Sequence, residues 1–131
     1  MFADLIVRIN KSYLEDYDLL SDKRDKKRSP FQIRKDVFMA AVSYGFLENE
    51  SKPVKNSHDL FRTTTFSIAD TVVLKALFLK NNKMAFDGNY TDENVINQAM
   101  EWAEVGFKHL KLQTIENQGS NFDCLLEEVV I

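Results

Sequence analysis

A stripe of apolar residues at helical spacing constrains the fold of this chain more than any other feature. It lies between Ser29-Pro30 and Gly45. Serine is a favoured N-cap, proline suits the first helical position, and glycine commonly ends a helix. The pattern predicts an amphipathic helix over residues 30–45 with one face in the core. The residues of the stripe are Ile33, Val37, Phe38, Ala41 and Val42.

The first 64 residues add a strand, a helix and a loop to this prediction. Residues 2–9 alternate apolar and polar side chains, which is typical of a half-buried strand. Ser12 and Glu15 match a capping box and predict a first helix over about 12–22. Residues 48–64 lack sustained periodicity and are interpreted as a connecting loop.

The second half of the chain predicts three more helices. Ser67 and Asp70 frame an apolar run that is rich on several faces, so we expect a central buried helix ending near residue 81. Thr91 opens a fourth helix with two acids in its first turn, which suits the positive end of the helix dipole. The inner face of that helix comprises Val95, Ala99, Trp102, Ala103 and Leu110, and a short C-terminal helix would contain Phe122, Leu125, Leu126, Val129 and Val130.

Composition fits one mainly α domain over residues 1–131, with about five helices and a short N-terminal strand. The chain has 131 residues, 44% of them hydrophobic, with 4 Gly, 2 Pro and a formal net charge of −3. These values exclude disordered and low-complexity classes. The single Cys124 excludes an internal disulfide framework, and no signal peptide or membrane span is evident, so a cytoplasmic location is expected.

Positive charge is concentrated near the start of the second helix. Residues 23–35 contain seven basic side chains and one acid, whereas residues 86–131 contain 2 basic and 9 acidic side chains. The basic cluster is either a solvated loop or a patch for a polyanion such as DNA. The candidate DNA-binding residues are Arg8, Lys23, Arg24, Lys26, Lys27, Arg28, Arg34 and Lys35.

Signatures of catalysis are missing from the sequence. The two histidines, His58 and His109, have no partner at metal-ligand spacing, and a second cysteine is absent. The chain has no Walker loop, no dinucleotide-binding glycine pattern and no nucleophile elbow. We therefore expect a protein that is not an enzyme and that uses no metal or other cofactor.

The N-terminal strand predicts an assembly. A lone strand leaves backbone groups unpaired unless another chain supplies a neighbour, so we expect a homodimer or a protein partner. The order of strand, helix, basic loop and helix resembles the ribbon-helix-helix arrangement, in which two copies pair their strands and read DNA. That resemblance implies a DNA-binding regulator with Arg8, and with Ile6 or Asn10, facing bases.

A second resemblance covers about residues 29–112. Ser29-Pro30-Phe31, residues 36–46, residues 66–70 and residues 100–110 are similar to the small accessory proteins encoded beside bacterial DNA phosphorothioation defence systems. Family members share a D-x-F-x-x-A-x-x-x-G helix and a late E-x-A-x-x-G-x-x-x-L helix. The resemblance implies a non-catalytic accessory or adaptor protein of a prokaryotic DNA-modification or antiviral defence system. We expect it to act through protein contacts, with contact to DNA left open. It brings no catalytic residues.

Overall fold

The computed structural model describes residues 1–21, 31–82 and 88–116, and these form a mainly helical fold. The two strands are β1 (Ile6–Asn10) and β2 (Ser57–Arg62). The four α-helices of the described residues are α1 (Leu14–Leu20), α2 (Arg34–Leu47), α3 (Ile68–Asn81) and α4 (Asp92–Lys111). Short 3₁₀ turns precede α1 and α3, and one π turn, Leu112–Glu116, follows α4. A helical fold with an N-terminal strand is confirmed, with four helices instead of about five. The expected fifth helix, 122–130, lies outside the described residues.

The packing of α2 against α4 forms the centre of the core. A Cβ atom added to Gly106 of α4 would overlap the backbone carbonyl of Ala41, and one added to Gly45 of α2 would overlap the backbone carbonyl of Trp102. The two helices therefore approach each other backbone to backbone, which only glycine permits.

Gly45 does not end the second helix, contrary to expectation, because it lies inside α2 at this crossing. The helix ends two residues later, at Leu47, and a Schellman motif follows it. The Asn49 N–H donates to the Phe46 carbonyl and the Glu50 N–H donates to the Gly45 carbonyl, both at 3.1 Å, while Asn49 has a φ of 54°. Asparagine tolerates this left-handed conformation better than most residues, so it takes the place expected for glycine.

The N-terminal ends of two helices also differ from expectation. α2 begins at Arg34, and Ile33 is its N-cap with extended backbone, so the start at Ser29-Pro30 is wrong; those two residues lie outside the described residues. Ser12 does not cap α1. Instead the Asn10 side chain accepts from the Ser12 N–H at 3.0 Å and caps the preceding 3₁₀ turn.

Aromatic rings on α4 attach the other helices to the core. The Phe107 ring lies 4.7 Å from two tyrosine rings. Tyr13 lies just before α1, and Tyr17 lies within it. Trp102 contacts Phe46 of α2 edge to face at 5.4 Å. The predicted inner face of α4 is confirmed, because Val95, Ala99, Trp102, Ala103 and Leu110 are all buried. The expected stripe of α2 is buried as well, apart from Ile33.

β1 pairs with β2 of the same chain, so the expectation of an unpaired N-terminal strand is wrong. The strands are antiparallel, with Ile6 opposite Arg62, Asn10 opposite Ser57 and an irregularity between Val7 and Arg8. The Arg8 N–H donates to the sulfur of Met100 on α4 at 3.1 Å. Residues 57–62 are therefore a strand and not part of a loop. One edge of β1 therefore finds in β2 the backbone partners that were expected from a second copy.

α3 lies at the edge of the structure, whereas the sequence predicted a central buried helix. Its predicted start is confirmed: Ser67 and Asp70 form a complete capping box. Only Thr71, Leu74 and Phe78 of the helix are buried. α4 takes the central position, with ten of its 20 residues buried.

We predict that Gly106→Ala destabilises the protein by about 2 kcal/mol or more, because the added methyl group forces α2 and α4 apart. In an ordinary helix the same change would stabilise by up to about 1 kcal/mol. Denaturant unfolding measures the difference. Ala76→Gly, at an exposed position of α3, is the control. It measures the helix preference of alanine over glycine where no other helix lies close. Stabilisation by Gly106→Ala would contradict the close approach of the two helices.

Candidate interaction surface

Each basic candidate within the described residues is paired with a carboxylate. Arg8 on β1 contacts Asp59 on β2 at 2.8 Å, and Arg34 at the start of α2 contacts Asp18 of α1 at 2.7 Å. These two pairs are exposed to solvent. Arg8 lies in the sheet, whereas Arg34 and Lys35 lie together at the start of α2. Candidates Lys23, Arg24, Lys26, Lys27 and Arg28 lie outside the described residues.

Lys35 is the most enclosed of these bases, and it joins α2 to α3. Its Nζ lies 2.7 Å from Asp70 Oδ2 and 3.5 Å from Asp36 Oδ1. The Asp70 carboxylate also accepts the Ser67 N–H in the capping box at 2.9 Å. Burial alone would raise the pKa of Asp70, but the hydrogen bonds from Lys35 and Ser67 hold it below its usual 3.8. The hydrogen bond to Asp70 in turn raises the pKa of Lys35. Lys35 thus has a structural role at the base of α3.

The outward side of α3 is an exposed apolar surface. Ile68 is 76% exposed, Val72 61% and Val73 43%. Ala69 and Ala76 are exposed on the same side, at helical spacing. We call these five residues the α3 face. The only acid of α3, Asp70, is half-buried against Lys35, so the α3 face contains no carboxylate.

Lysines border the α3 face. Lys75 lies near Asp92, at 4.0 Å, and its ammonium is 5.3 Å from the centre of the Phe2 ring. Lys80 is exposed, and its ammonium lies 6.0 Å from the centre of the Phe46 ring. An apolar stripe with basic edges fits a partner segment that is apolar in its middle and acidic along its sides.

The sequence signals this surface only indirectly. Apolar residues lie all round α3, a pattern typical of a buried helix. The exposed side nevertheless carries small and β-branched residues, while the large side chains Leu74 and Phe78 are buried against the core. The difference between the two sides is one of size and not of polarity.

A second group of polar residues lies inside the core between α1 and α4. Asn10 Nδ2 donates to Glu104 Oε1 at 3.2 Å, while Glu104 Oε2 and the Tyr17 hydroxyl are buried and have no hydrogen-bond partner among the described residues. Burial, followed by the charge of Glu104, raises the pKa of Tyr17 and of Tyr13. The Phe107 ring packs against both tyrosine rings.

The two histidines lie on different elements. His58 is exposed in β2, and His109 is half-buried near the end of α4. Among the residues that the structure describes, no three His, Cys, Asp or Glu side chains come together as metal ligands, and no helix is long and apolar enough to cross a membrane.

Comparison of the chain with protein-family models, with curated proteins and with solved structures finds no match in any of the three. The resemblance to accessory proteins of DNA phosphorothioation systems therefore stays a prediction.

We predict that Lys35→Met lowers the free energy of unfolding by about 1–2 kcal/mol at pH 7, because it removes a charged hydrogen bond to Asp70. The folded pKa of Asp70 is depressed, so the stabilisation is present above pH 3.8 and is lost as the pH falls through the folded pKa. Urea unfolding at pH 7 and at about pH 2.5 measures it. The free energies of unfolding of the unchanged protein and of Lys35→Met should become equal at the acid pH. An equal difference at both pH values would assign the effect to packing of the lysine stem.

Proposed function

We propose that the protein is a non-catalytic accessory or adaptor protein that binds a partner protein through the α3 face. The supporting observation is the exposure of Ile68, Val72 and Val73 side by side on one helix. Soluble monomeric proteins rarely expose contiguous apolar surface without a role for it, and such surfaces commonly mark interaction sites. The proposal includes action in the cytoplasm, where a single cysteine stays reduced.

The rigid attachment of α3 also supports this use. Leu74 and Phe78 are buried on its inner side, Phe78 lies 5.4 Å from the Tyr90 ring, and Lys35 holds the capping box at its start. A surface whose backbone is already fixed loses little conformational entropy on binding. The α3 face is thus a preformed helix surface, suited to an amphipathic partner segment.

The setting of this adaptor follows from the resemblance to accessory proteins of DNA phosphorothioation defence systems. Such proteins are encoded beside their systems, so the products of the adjacent genes are the first partners to test. The α3 face defines the part of this chain that they would contact. The pairing of β1 with β2 removes the support that the ribbon-helix-helix resemblance gave to a regulator that uses its N-terminal strand.

We predict that Val72→Asp weakens binding of the purified adjacent-gene partner by about tenfold or more. Burial of a valine is worth roughly 1.5–3 kcal/mol, and 1.4 kcal/mol is a factor of ten in affinity. Val72 is exposed, so the fold should be retained. Leu47→Asp changes an equally apolar residue, 76% exposed at the end of α2, and is the matched control.

Calorimetric titration of each adjacent-gene protein measures this affinity. An affinity that is unchanged by Val72→Asp would place the contact outside the α3 face. Absence of binding to every adjacent-gene protein would contradict the adaptor proposal itself.

Direct DNA contact is the second candidate function, and the concentration of seven basic residues within positions 23–35 favours it. In the described part of this cluster Arg34 and Lys35 already pair with carboxylates, so the proposal rests on Lys26, Lys27 and Arg28. Replacing these three by Ala should weaken DNA binding equally for all sequences. It should also reduce the slope of log affinity against log salt by roughly 0.9 per lost contact. Salt-dependent binding that survives the triple substitution would exclude this surface.

A further inference from the structure

We propose that the protein forms a homodimer in which the outer edges of two copies of β2 pair with each other in antiparallel orientation. The two-stranded sheet of each copy then becomes half of a four-stranded sheet, with the two β2 strands at its centre. This contact goes beyond the adaptor proposal, because it uses β2 and a second copy of the chain and does not use the α3 face.

The register of the two strands shows that the backbone of Arg62 points away from β1. In an antiparallel ladder, hydrogen-bonded residue pairs alternate with pairs whose N–H and C=O groups point away from each other. The Thr63 N–H donates to the Leu5 carbonyl at 2.9 Å. The next pair along the ladder, Ile6 and Arg62, is therefore of the second kind. The N–H and C=O of Arg62 lie on the outer edge of β2.

Asp59 has the same orientation. At the other end of the ladder the Lys11 N–H donates to the Asn56 carbonyl at 3.0 Å. Counted from this bond, Arg8 and Asp59 are the third pair, so their backbone groups also point away from each other. Arg8 confirms this count, because its N–H donates to the Met100 sulfur on α4. The outer edge of β1 thus meets α4 at this position, whereas Asp59 lies on the outer edge of β2.

The outer edge of β2 is open to solvent. The side chains of Asp59 and Arg62 are 63% and 56% exposed. Among the described residues, neither backbone has a hydrogen-bond partner on the side away from β1. An unpaired strand edge of this kind is where a strand of another chain can be added to a sheet.

The irregularity in β2 makes this edge complementary to itself. Residues three apart in a regular strand lie on opposite faces of the sheet. Leu60 is an extra residue at the irregularity, so Asp59 and Arg62 lie on the same face. Two antiparallel copies can therefore place Asp59 of each copy opposite Arg62 of the other. Opposite charges on opposed residues stabilise such a ladder, and the symmetry of the dimer forms the pair twice.

Both side chains retain hydrogen-bonding capacity for this contact. Asp59 accepts from Arg8 through Oδ1 only, so its Oδ2 is available. Arg62 donates to Asp4 through Nε and Nη2, so its Nη1 is available. A hydrogen bond from Nη1 of Arg62 to Oδ2 of Asp59 in the second copy would link the pairs of both chains. The result is a row of charges that alternate in sign.

The same features select the second copy over an arbitrary strand. Charged residues and a bulge on an edge strand prevent indiscriminate pairing. A strand that pairs with β2 must present a base opposite Asp59 and an acid opposite Arg62, and a second copy meets this requirement by symmetry. A register with Asp59 opposite Asp59 would bring like charges together. Because only a short ladder forms, the dimer should be weak and should depend on protein concentration.

Exchange of charges between two variants tests the pairing. Sedimentation of the unchanged full chain should show a rise in average mass from monomer towards dimer over about 0.01–1 mM. Asp59→Arg and Arg62→Asp each place like charges opposite each other twice, so each should raise the dissociation constant by about tenfold or more. An equimolar mixture of the two variants restores opposite charges at both positions and should again form a dimer. Recovery in the mixture would also show that both variants are folded.

Asp4→Arg is the matched control. It makes the same change in charge as Asp59→Arg and breaks the exposed pair with Arg62, but Asp4 lies outside β2. Its dimer should be as stable as that of the unchanged protein. A mixture of the two β2 variants that is no more dimeric than either variant alone would overturn the proposal. A monomer throughout the concentration range for the unchanged protein would overturn it too, and would assign the two charges to protection of the strand edge.

Hydrogen exchange measured by NMR tests the backbone contact separately. The amides of Asp59 and Arg62 should exchange more slowly as the protein concentration rises, because they become bonded to the second copy. The amide of Phe61 points towards β1, so its exchange should depend on concentration less. Exchange at Asp59 and Arg62 that is independent of concentration in a dimeric sample would contradict pairing through this edge.

These measurements are independent of the adaptor proposal, because no partner protein is present. Val72→Asp should leave the dimer unchanged, since the α3 face takes no part in it. A dimer that dissociates with Val72→Asp but not with Asp59→Arg would overturn the proposal in favour of contact through the α3 face. If the charge exchange succeeds and no adjacent-gene protein binds, the dimer stands and the proposed function fails.

Discussion

The close approach of α2 and α4 determines the arrangement of the rest of the structure. Gly45 and Gly106 let the two backbones meet at van der Waals distance, where any side chain would collide with a carbonyl of the facing helix. Dispersion contacts at such a crossing are dense, but they leave little side-chain surface to share with a third helix. The bulky residues that flank the crossing, Trp102 and Phe107, therefore extend sideways and contact α2 and α1.

This arrangement explains the position of α3. α2 and α4 bury their apolar faces against each other. α3 therefore packs beside them through Leu74 and Phe78, and its other side stays exposed. The Lys35–Asp70 pair then fixes the start of α3 to α2. An apolar surface held on a fixed helix gains more from an amphipathic partner than from solvent, which is the physical basis of the function proposed for it.

Features encoded within a few residues could be predicted from the sequence. The capping signals at Ser67 and Thr91 gave correct helix starts, and the apolar period of α4 gave its buried face. Features that depend on distant residues could not be predicted. The partner of β1 is a strand about 50 residues away whose burial pattern shows little alternation, and the role of Gly45 depends on Trp102. The α3 face was missed for the same reason, since exposure depends on which helices occupy the centre.

Electrostatics separates a protein-binding role from a DNA-binding role for the described surface. A phosphate contact requires a base whose charge is free to attract the backbone of DNA, yet Arg8, Arg34 and Lys35 each lie within 2.8 Å of a carboxylate. A phosphate would have to compete with these carboxylates for each base, and exposed pairs of this kind contribute little to stability, so their main effect is to neutralise the local potential. The α3 face differs, because Lys80 borders a surface that contains no carboxylate. Lys80 therefore borders the same surface that exposes apolar side chains, and an acidic amphipathic helix of a partner would complement both.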